Sequence, residues 1–548
     1  MPSNHASDAE QPYNAATGQP ADRPRQRITW ETGLTLLNQR LTAISDQRLR
    51  EMRRGVEKES LRSRADGRLA FTPHPRALGS ALTHPHITTD FCESQVELVT
   101  GAHTTVAACM AELTELHQAT ARAIGGEQLW VSSMPCALPA DGDIPLGQYG
   151  NAHIGQTKTV YRRGLGHRYG RRMQTISGIH YNWSLPGLNN DDYFNLIRNF
   201  RRHSFLLLLL FGASPAVGKC FVDGLPHELT PLGADTLHRP HGTSLRMGRL
   251  GYQSDAQASL AVSYNGLEGY GHSLEDALTR PWPAYEAIGL QNASGEYQQL
   301  STSLLQIENE FYGTIRPKRT IRSGERPLHA LRERGVEYVE VRCMDLNPFI
   351  DTGIDAATAR FIDVFLMHCL LSDSPPDSPA EIAALGRNQH RTAEHGRQPG
   401  LMLERHGQQV SITDWALELI DACAPIAQRL DALEDGHGHA DTLAAARAAV
   451  LAPHTLPSAR VLDDLAAHGG SFVGAVRARS AGVQAALLGL PVSVDQEAQW
   501  AAEAAQSLAE QARLEAAQAA GGQSFTEFLN DYLATEGLSP RSQDHVPA

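Results

Sequence analysis

The chain has no Cys-x-x-Cys pair, and its seven cysteines (92, 109, 136, 220, 343, 369 and 423) are scattered. An odd number of thiols without paired spacing argues against a disulfide framework and for free thiols in a reducing compartment. It also lacks a basic excess. The net charge of −13 argues against a general nucleic-acid binder, which needs a basic face, and leaves room for a local basic site for an anionic cofactor. Long apolar runs are missing too. The longest, Phe205-Leu206-Leu207-Leu208-Leu209-Leu210-Phe211, falls far short of the roughly 20 residues of a membrane span and reads as a buried helix. Residues Met1 to Asp8 have neither the basic nor the apolar region of a secretory signal. The expectation is a cytoplasmic protein with no nucleic-acid or membrane partner. There is no Walker A motif, no Rossmann fingerprint and no solenoid-type repeat.

What remains is a chain of 548 residues, 41% hydrophobic and 20% charged, enough for a large core and two or more structural units. Residues 1–27 are rich in Pro, Ala, Asn, Asp and Gln without periodicity and read as a disordered extension. Residues 28–372 read as a sheet-and-helix core, and 373–548 as a helical region packed on it. Helical spacing predicts helices over 29–52, 106–124 and 190–211. The stretches 140–172 and 372–400 read as irregular. Beyond them, Ala- and Leu-rich segments at 411–434, 440–452, 457–467, 474–488 and 493–520 predict amphipathic helices.

The informative signal is a polar face on segments that alternate like strands. Side chains on a strand change faces with period two. Glu57 and Glu59 therefore point the same way, as do His180 and Asn182, Glu308 and Glu310, and Glu340 and Arg342. Asp90 and Glu93 fit the capping box of a helix that would place Glu97 on the same face. The cluster Arg316, Lys318, Arg319 and Arg322 is punctuated by Pro and Gly and reads as a basic loop suited to a triphosphate. Each has a plainer reading alone: a solvated strand edge, an acidic helix stripe, a core histidine, a cross-strand ion pair, a solvated loop. Together, carboxylates, one imidazole, one guanidinium and a basic loop are what phosphoryl transfer with a divalent cation needs.

These residues lie in stretches that carry a resemblance. Arg54-Gly55-Val56-Glu57-Lys58-Glu59-Ser60-Leu61-Arg62, Ile87-Thr88-Thr89-Asp90-Phe91, Ser177-Gly178-Ile179-His180-Tyr181-Asn182, Leu305-Gln306-Ile307-Glu308-Asn309-Glu310, Ile315-Arg316-Pro317-Lys318-Arg319 and Tyr338-Val339-Glu340-Val341-Arg342 run in the order found in the proteobacterial glutamate–cysteine ligase family, which the chain resembles from about 50 to 350. The resemblance implies an α+β fold like glutamine synthetase, with a curved, mainly antiparallel sheet forming a funnel wrapped by helices. It implies ATP-dependent joining of the glutamate side-chain carboxylate to the cysteine amine through an acyl phosphate, the first step of glutathione synthesis. It implies Glu57, Glu59, Asp90, Glu97, His180 and Glu340 as ligands of Mg2+ (or Mn2+). Arg342, with Glu340 and Glu57, is implied at the reacting groups, and Tyr161, Arg246, Tyr252 and Tyr312 in the cysteine pocket. Arg316, Lys318, Arg319 and Arg322 are candidates for the nucleotide phosphates from charge and position. The partners expected are glutamate, cysteine and ATP, with no obligate protein partner and a monomer favoured. The C-terminal helices carry no ATP-grasp pattern, which argues against a fused glutathione synthetase. The alternatives are a ligase of the same fold with another acceptor amine, and a scaffold without activity.

Overall fold

The computed structural model describes residues 30–538, apart from 252–254, 259, 323 and 435. The extension read over 1–27 lies outside the described residues. Among the described residues ten strands precede residue 345: β1 (Arg53–Ser63), β2 (Ile87–Thr89), β3 (Gln95–Val99), β4 (Gln128–Leu129), β5 (Ile179–Ser184), β6 (Ala216–Gly218), β7 (Thr230–Pro231), β8 (Thr236–His238), β9 (Ile315–Lys318) and β10 (Tyr338–Met344). The main sheet has the order β2-β3-β1-β5-β10-β9, with β4 beside β1, and all its pairings are antiparallel. Strands β6, β8 and β7 make a separate small sheet.

Period two decides which side of the main sheet meets the helices. Val56, Tyr181, Trp183, Val339 and Val341 are all buried on one face, toward the helices Asn190–His203, Phe205–Phe211 and Ala356–Leu371. Two charged residues share that inner face. Arg54 Nη2 pairs with Asp363 Oδ2 at 3.0 Å, and Tyr181 Oη donates to the other oxygen of Asp363 at 2.8 Å. Lys58 has no such partner. Among the described residues its ammonium donates a hydrogen bond to Ser60 Oγ, at 2.6 Å, and burial pushes its pKa down to about 7.

That lysine has a stability consequence. Its folded pKa lies below the unfolded value of about 10.4, so between the two the unfolded chain binds the extra proton. Stability should therefore rise with pH from about 7 toward 10, by up to about 1.4 kcal/mol per pH unit from this group. Lys58→Met should remove that component. Urea unfolding at pH 7.5 and 9.5 should find the variant the more stable at the lower pH and the gap closing at the higher. An unchanged slope would refute it.

Several sequence expectations need correction. Residues 87–99 form the β2–β3 hairpin, not a capped helix, so Asp90, Glu93 and Glu97 share no helical face. The Glu93 carboxylate instead accepts the backbone N–H groups of His74 (2.7 Å) and Gln148 (2.8 Å). Residues 304–312 are not a strand. Glu308 and Glu310 sit in a 3-10 turn and diverge, Glu308 to Arg326 at 2.8 Å and Glu310 to Arg168 at 2.9 Å. Within 140–172 lies a helix, His153–Tyr169, and within 372–400 another, Pro379–His395, which Ser378 caps. The helix expected over 29–52 breaks into Trp30–Thr42 and Asp46–Arg50, and the one over 190–211 divides at Ser204. The basic segment starts as strand β9 rather than loop.

The C-terminal region divides between two buried clusters, its helices Pro457–Ala467 and Phe472–Gly489 packing with Leu61, Phe91 and Trp130 and its earlier part with the sheet's inner face. Leu403, Trp415, Ile420, Ile426, Leu443 and Leu456 belong to one buried cluster with Val56, Tyr181 and Phe365. The long helix Val494–Gly521 starts at a capping box between Ser493 and Gln496. It lies across two turns of the core. Ser80 N–H donates to Ser507 Oγ at 3.0 Å and Asn151 N–H to Glu515 Oε1 at 2.8 Å. Gly79 has φ of 78°, and a Cβ there would sit 2.2 Å from Ser507 Oγ. Glycine is therefore needed both for the backbone and for the approach.

Candidate active site

Register gathers the acids on the outer face of the sheet. Glu57 lies opposite His180, Glu59 opposite Glu97, and Glu340 opposite Asn182. The imidazole of His180 stands among them. Its Nδ1 is 3.1 Å from Glu57 Oε2 and 3.8 Å from Glu340 Oε1, and its Nε2 is 3.7 Å from Glu59 Oε1. Two trios of donors result, Glu57–His180–Glu340 and Glu59–Glu97–His180, with the atoms of each trio within 4.8 Å of one another. Asp90, in the β2–β3 turn, is in neither trio, although its charge acts on Glu59 and Glu97. Backbone and side-chain donors hold the carboxylates in place: Asn182 Nδ2 to Glu57 Oε1 at 2.9 Å, and Gly178 N–H to Glu59 Oε2 at 2.6 Å.

The two halves differ in charge balance. Burial acts to raise the Glu340 pKa, but Lys318, Arg342 and His180 outweigh it and hold the group well below its ordinary value. Arg342 Nη1 lies 3.1 Å from Glu340 Oε2 and 3.4 Å from His180 Nδ1, and Lys318 Nζ lies 3.4 Å from Glu340 Oε1. Burial and the nearby Glu340 act to raise the Glu57 pKa, but the hydrogen bond to His180, the His180 ring and Lys318 together leave it lowered. The other half is short of positive charge. Burial and Asp90 push Glu59 up to about 8, and burial with Asp90, Glu57 and Glu59 raises Glu97 well above the carboxylate range. Burial and Arg342 lower His180, which keeps its imidazole neutral. Buried carboxylates short of cations, around one neutral imidazole, fit hard divalent ions such as Mg2+ or Mn2+.

A cleft of about 180 Å³ opens beside Arg342 and is lined by Arg246, Tyr312, Gly313 and Thr314. Arg246 Nη2 donates to the Arg342 carbonyl at 2.8 Å, and Tyr312 Oη exchanges a hydrogen bond with the Gln174 side chain at 2.8 Å. Burial and the charge of Glu310 raise the Tyr161 hydroxyl pKa, and the nearby Tyr312 adds to this. Tyr252 lies outside the described residues. A second cleft, of about 260 Å³, opens at the other end of these strands, among Arg53, Glu57, Asn182, Thr320 and Tyr338. The acids thus lie between two clefts.

The four basic candidates separate. Lys318 reaches Glu340. Arg316 is buried and donates to the carbonyls of Asn309 (3.0 Å) and Phe311. Arg319 Nη1 donates to the Arg334 carbonyl at 2.7 Å, and exposed Arg322 lies 3.4 Å from Glu333. Two further cations escaped the sequence reading. Lys158 and Arg162, one turn apart on the helix His153–Tyr169, lie over the Tyr149 ring at 5.1 and 4.5 Å. Arg162 also donates to the Asp90 carbonyl. Burial and Arg162 push Lys158 down to about 8, against the pull of Glu97 and Asp90. Their spacing of four was the available signal, hidden because the segment read as irregular.

An antiparallel sheet that gathers carboxylates, an imidazole and an arginine on one face suits a ligase that handles phosphates through divalent cations. The chain belongs to the glutamate-cysteine ligase family, whose model matches residues 38–392. It is 47% identical over 508 residues to the glutamate–cysteine ligase of Azotobacter vinelandii, covering 89% of this chain and 95% of that protein. It is 45% identical over 517 residues to the glutamate–cysteine ligase of a Janthinobacterium strain, covering 90% and 98%. Among solved structures, the glutamate–cysteine ligase of Francisella tularensis in complex with AMP aligns with a TM-score of 0.84 at 35% identity, over 89% of this chain and 98% of that one. A bifunctional glutathione synthetase from Pasteurella multocida aligns with a TM-score of 0.64 at 25% identity, over 83% of this chain and 55% of that one. No helix among the described residues is long and apolar enough to cross a membrane.

Proposed function

We infer that this chain uses ATP to join the side-chain carboxylate of L-glutamate to the amine of L-cysteine, giving gamma-glutamylcysteine, ADP and phosphate. The observation that carries the reading is the double trio of acids around His180, with Arg342 beside it, set between two clefts. A carboxylate is a poor electrophile. Transfer of the terminal phosphoryl group of ATP to a carboxylate oxygen makes an acyl phosphate and releases ADP. The cysteine nitrogen then bonds to the acyl carbon and loses a proton, and phosphate leaves with the electrons of the broken C–O bond.

Glu57, His180 and Glu340 would hold one Mg2+ (or Mn2+), and Glu59, Glu97 and His180, with Asp90 alongside, a second. Bound there, the ions supply positive charge against the phosphates and the charge developing on transfer. The chain's own residues do the rest. Arg342 presents a planar fork to the reacting carboxylate or phosphoryl oxygens. Lys318 adds a point charge on the Glu340 side, where the cleft of Asn182, Thr320 and Tyr338 would take the nucleotide. Arg316, Arg319 and Arg322 would support that side through the strand and turn they hold. Arg246, Tyr312 and Tyr161, with Tyr252, would form the cysteine pocket, and Lys158 and Arg162 offset part of the acidic charge at the far end. Glutamate, cysteine and ATP suffice as partners for a monomer.

The test is ADP release by the purified full chain with Mg2+. Release should require both glutamate and cysteine or its isostere 2-aminobutyrate, should stop on chelation and should return on adding Mg2+. Equal turnover with unrelated amine acceptors would overturn the choice of cysteine.

Gly178 gives a sharper probe of the cysteine side. A Cβ there would meet Arg246 Nη2 at 2.1 Å, so alanine must displace the guanidinium. Gly178→Ala should raise the KM for cysteine about tenfold or more, equivalent to about 1.4 kcal/mol, with a smaller change for ATP. An unchanged cysteine KM would remove Arg246 from the pocket.

A further inference from the structure

A second set of metal-ligating side chains lies in the helical layer, apart from the acidic cup. His203 ends the helix Asn190–His203, and His368 and Cys369 lie on Ala356–Leu371, which packs against it. One donor atom from each lies within 4.8 Å of the other two. His368 and Cys369 are 5% and 0% exposed, while His203 is half-buried. Both Nδ1 atoms, of His203 and of His368, are buried with no hydrogen-bond partner. Buried polar atoms are rarely left so, and each calls for an explanation such as an ion.

The surroundings of the two histidines suit a ligand role, while burial and the nearby Cys423 raise the Cys369 thiol well above its ordinary pKa, a cost that metal binding must offset. Ser372 Oγ lies 3.4 Å from His368 Nε2, which orients the ring and leaves Nδ1 as the available donor. Burial, with the second histidine and Arg405 close by, holds His203 well below its ordinary pKa, and burial brings His368 to about 4. Both imidazoles are therefore neutral, the form that binds a cation. The charges around them are already matched. Arg405 grips both oxygens of Glu418 at 2.7 Å, and Arg202 binds Glu381 at 2.7 and 3.0 Å. His406, whose charge also acts on His203, is the only described non-glycine residue with positive φ, at 52°.

We propose that His203, His368 and Cys369 bind one thiophilic d10 cation, Cu+ or Zn2+. Two imidazoles and a thiolate select such ions and reject Mg2+. On binding, the Cys369 S–H bond breaks, a sulfur–metal bond forms and the proton passes to solvent. Cu+ leaves the three-ligand set neutral, which suits a dry interior, whereas Zn2+ leaves one positive charge. Bonds of about 2.0 Å to nitrogen and 2.3 Å to sulfur require ligand atoms closer than about 4 Å, so small ring rotations close the site.

The test uses the full chain, freed of metal and then kept in excess Mg2+ to occupy the carboxylate set. Cu+ under a thiol-free reductant and, in a second arm, Zn2+ are each titrated against a chromophoric chelator. Wild type should hold one equivalent of at least one ion, and Cys369→Ser and His368→Gln should each lose it. Ligase turnover in Cys369→Ser, which lies outside the cup, reports that the variant is folded. X-ray absorption at the metal edge should show one sulfur near 2.3 Å with imidazole nitrogens. Binding of neither ion, equal binding by wild type and both variants, or a shell without sulfur would overturn the site.

Discussion

His180→Gln should lower turnover about 10³-fold or more, equivalent to about 4 kcal/mol of transition-state stabilisation, while leaving the chain folded. The size follows from sharing. A single carboxylate variant strips one trio, but His180 belongs to both, so its loss weakens Glu57–Glu340 and Glu59–Glu97 together. Glutamine fills similar space on β5 and can still hydrogen-bond Glu57, so the sheet should survive. The measurement is kcat across a Mg2+ titration, with thermal unfolding as the control for folding. Turnover within tenfold of wild type at moderate Mg2+ would show that the imidazole is not a common donor. A loss that high Mg2+ fully repairs would place its role in affinity alone.

Arg342→Lys should cost about 10²- to 10³-fold in kcat, the range seen when one preorganised donor to a developing charge is removed. The substitution keeps the positive charge, so it separates charge from shape. The Arg342 guanidinium reaches Glu340 and His180 at once, at 3.1 and 3.4 Å, and it borders the cleft beside Arg246 and Tyr312. A lysine is a flexible point charge and cannot span those positions. The KM for ATP should move much less than kcat. If lysine supports full kcat, the fork has no part in the reaction and only its charge matters.

The polar faces of β1, β5 and β10 were legible because alternation is a short-range property. Glu57, Glu59, His180, Glu340 and Arg342 need only their own strands to point the right way. Glu97 was singled out through the wrong local structure. Asp90 and Glu93 mimic a capping box, yet Ile87, Thr88, Val96 and Val99 are β-branched and find partners across the hairpin and on β1. Tertiary pairing decided between two local patterns of similar strength. Glu308 and Glu310 alternate like a strand, but buried Arg326 and Arg168 draw them in opposite directions. The helix His153–Tyr169 was hidden by Gly155, Gly164 and Gly166, poor helix formers that allow close packing. A Cβ at Gly164 would fall 2.1 Å from Gln306 Oε1. Ser378-Pro379 looked like a loop and is a capped helix start with proline in the first turn. Nothing local foretold that Arg246, 66 residues beyond His180 in the numbering, would lie over Gly178.

The helix Val494–Gly521 carries a timing consequence. A ribosome releases it among the last segments, yet it fastens the turn at Ser80, near β2, and the turn at Asn151, which leads into the helix of Tyr161, Lys158 and Arg162. Arg326 and Arg332 wait still longer, for the carbonyls of Tyr532 and Leu538. A nascent chain that has already laid down its acidic strands therefore lacks the clasp that squares them to the substrate walls. The turns at Ser80 and Asn151 are therefore fastened only after Val494–Gly521 has docked on the core.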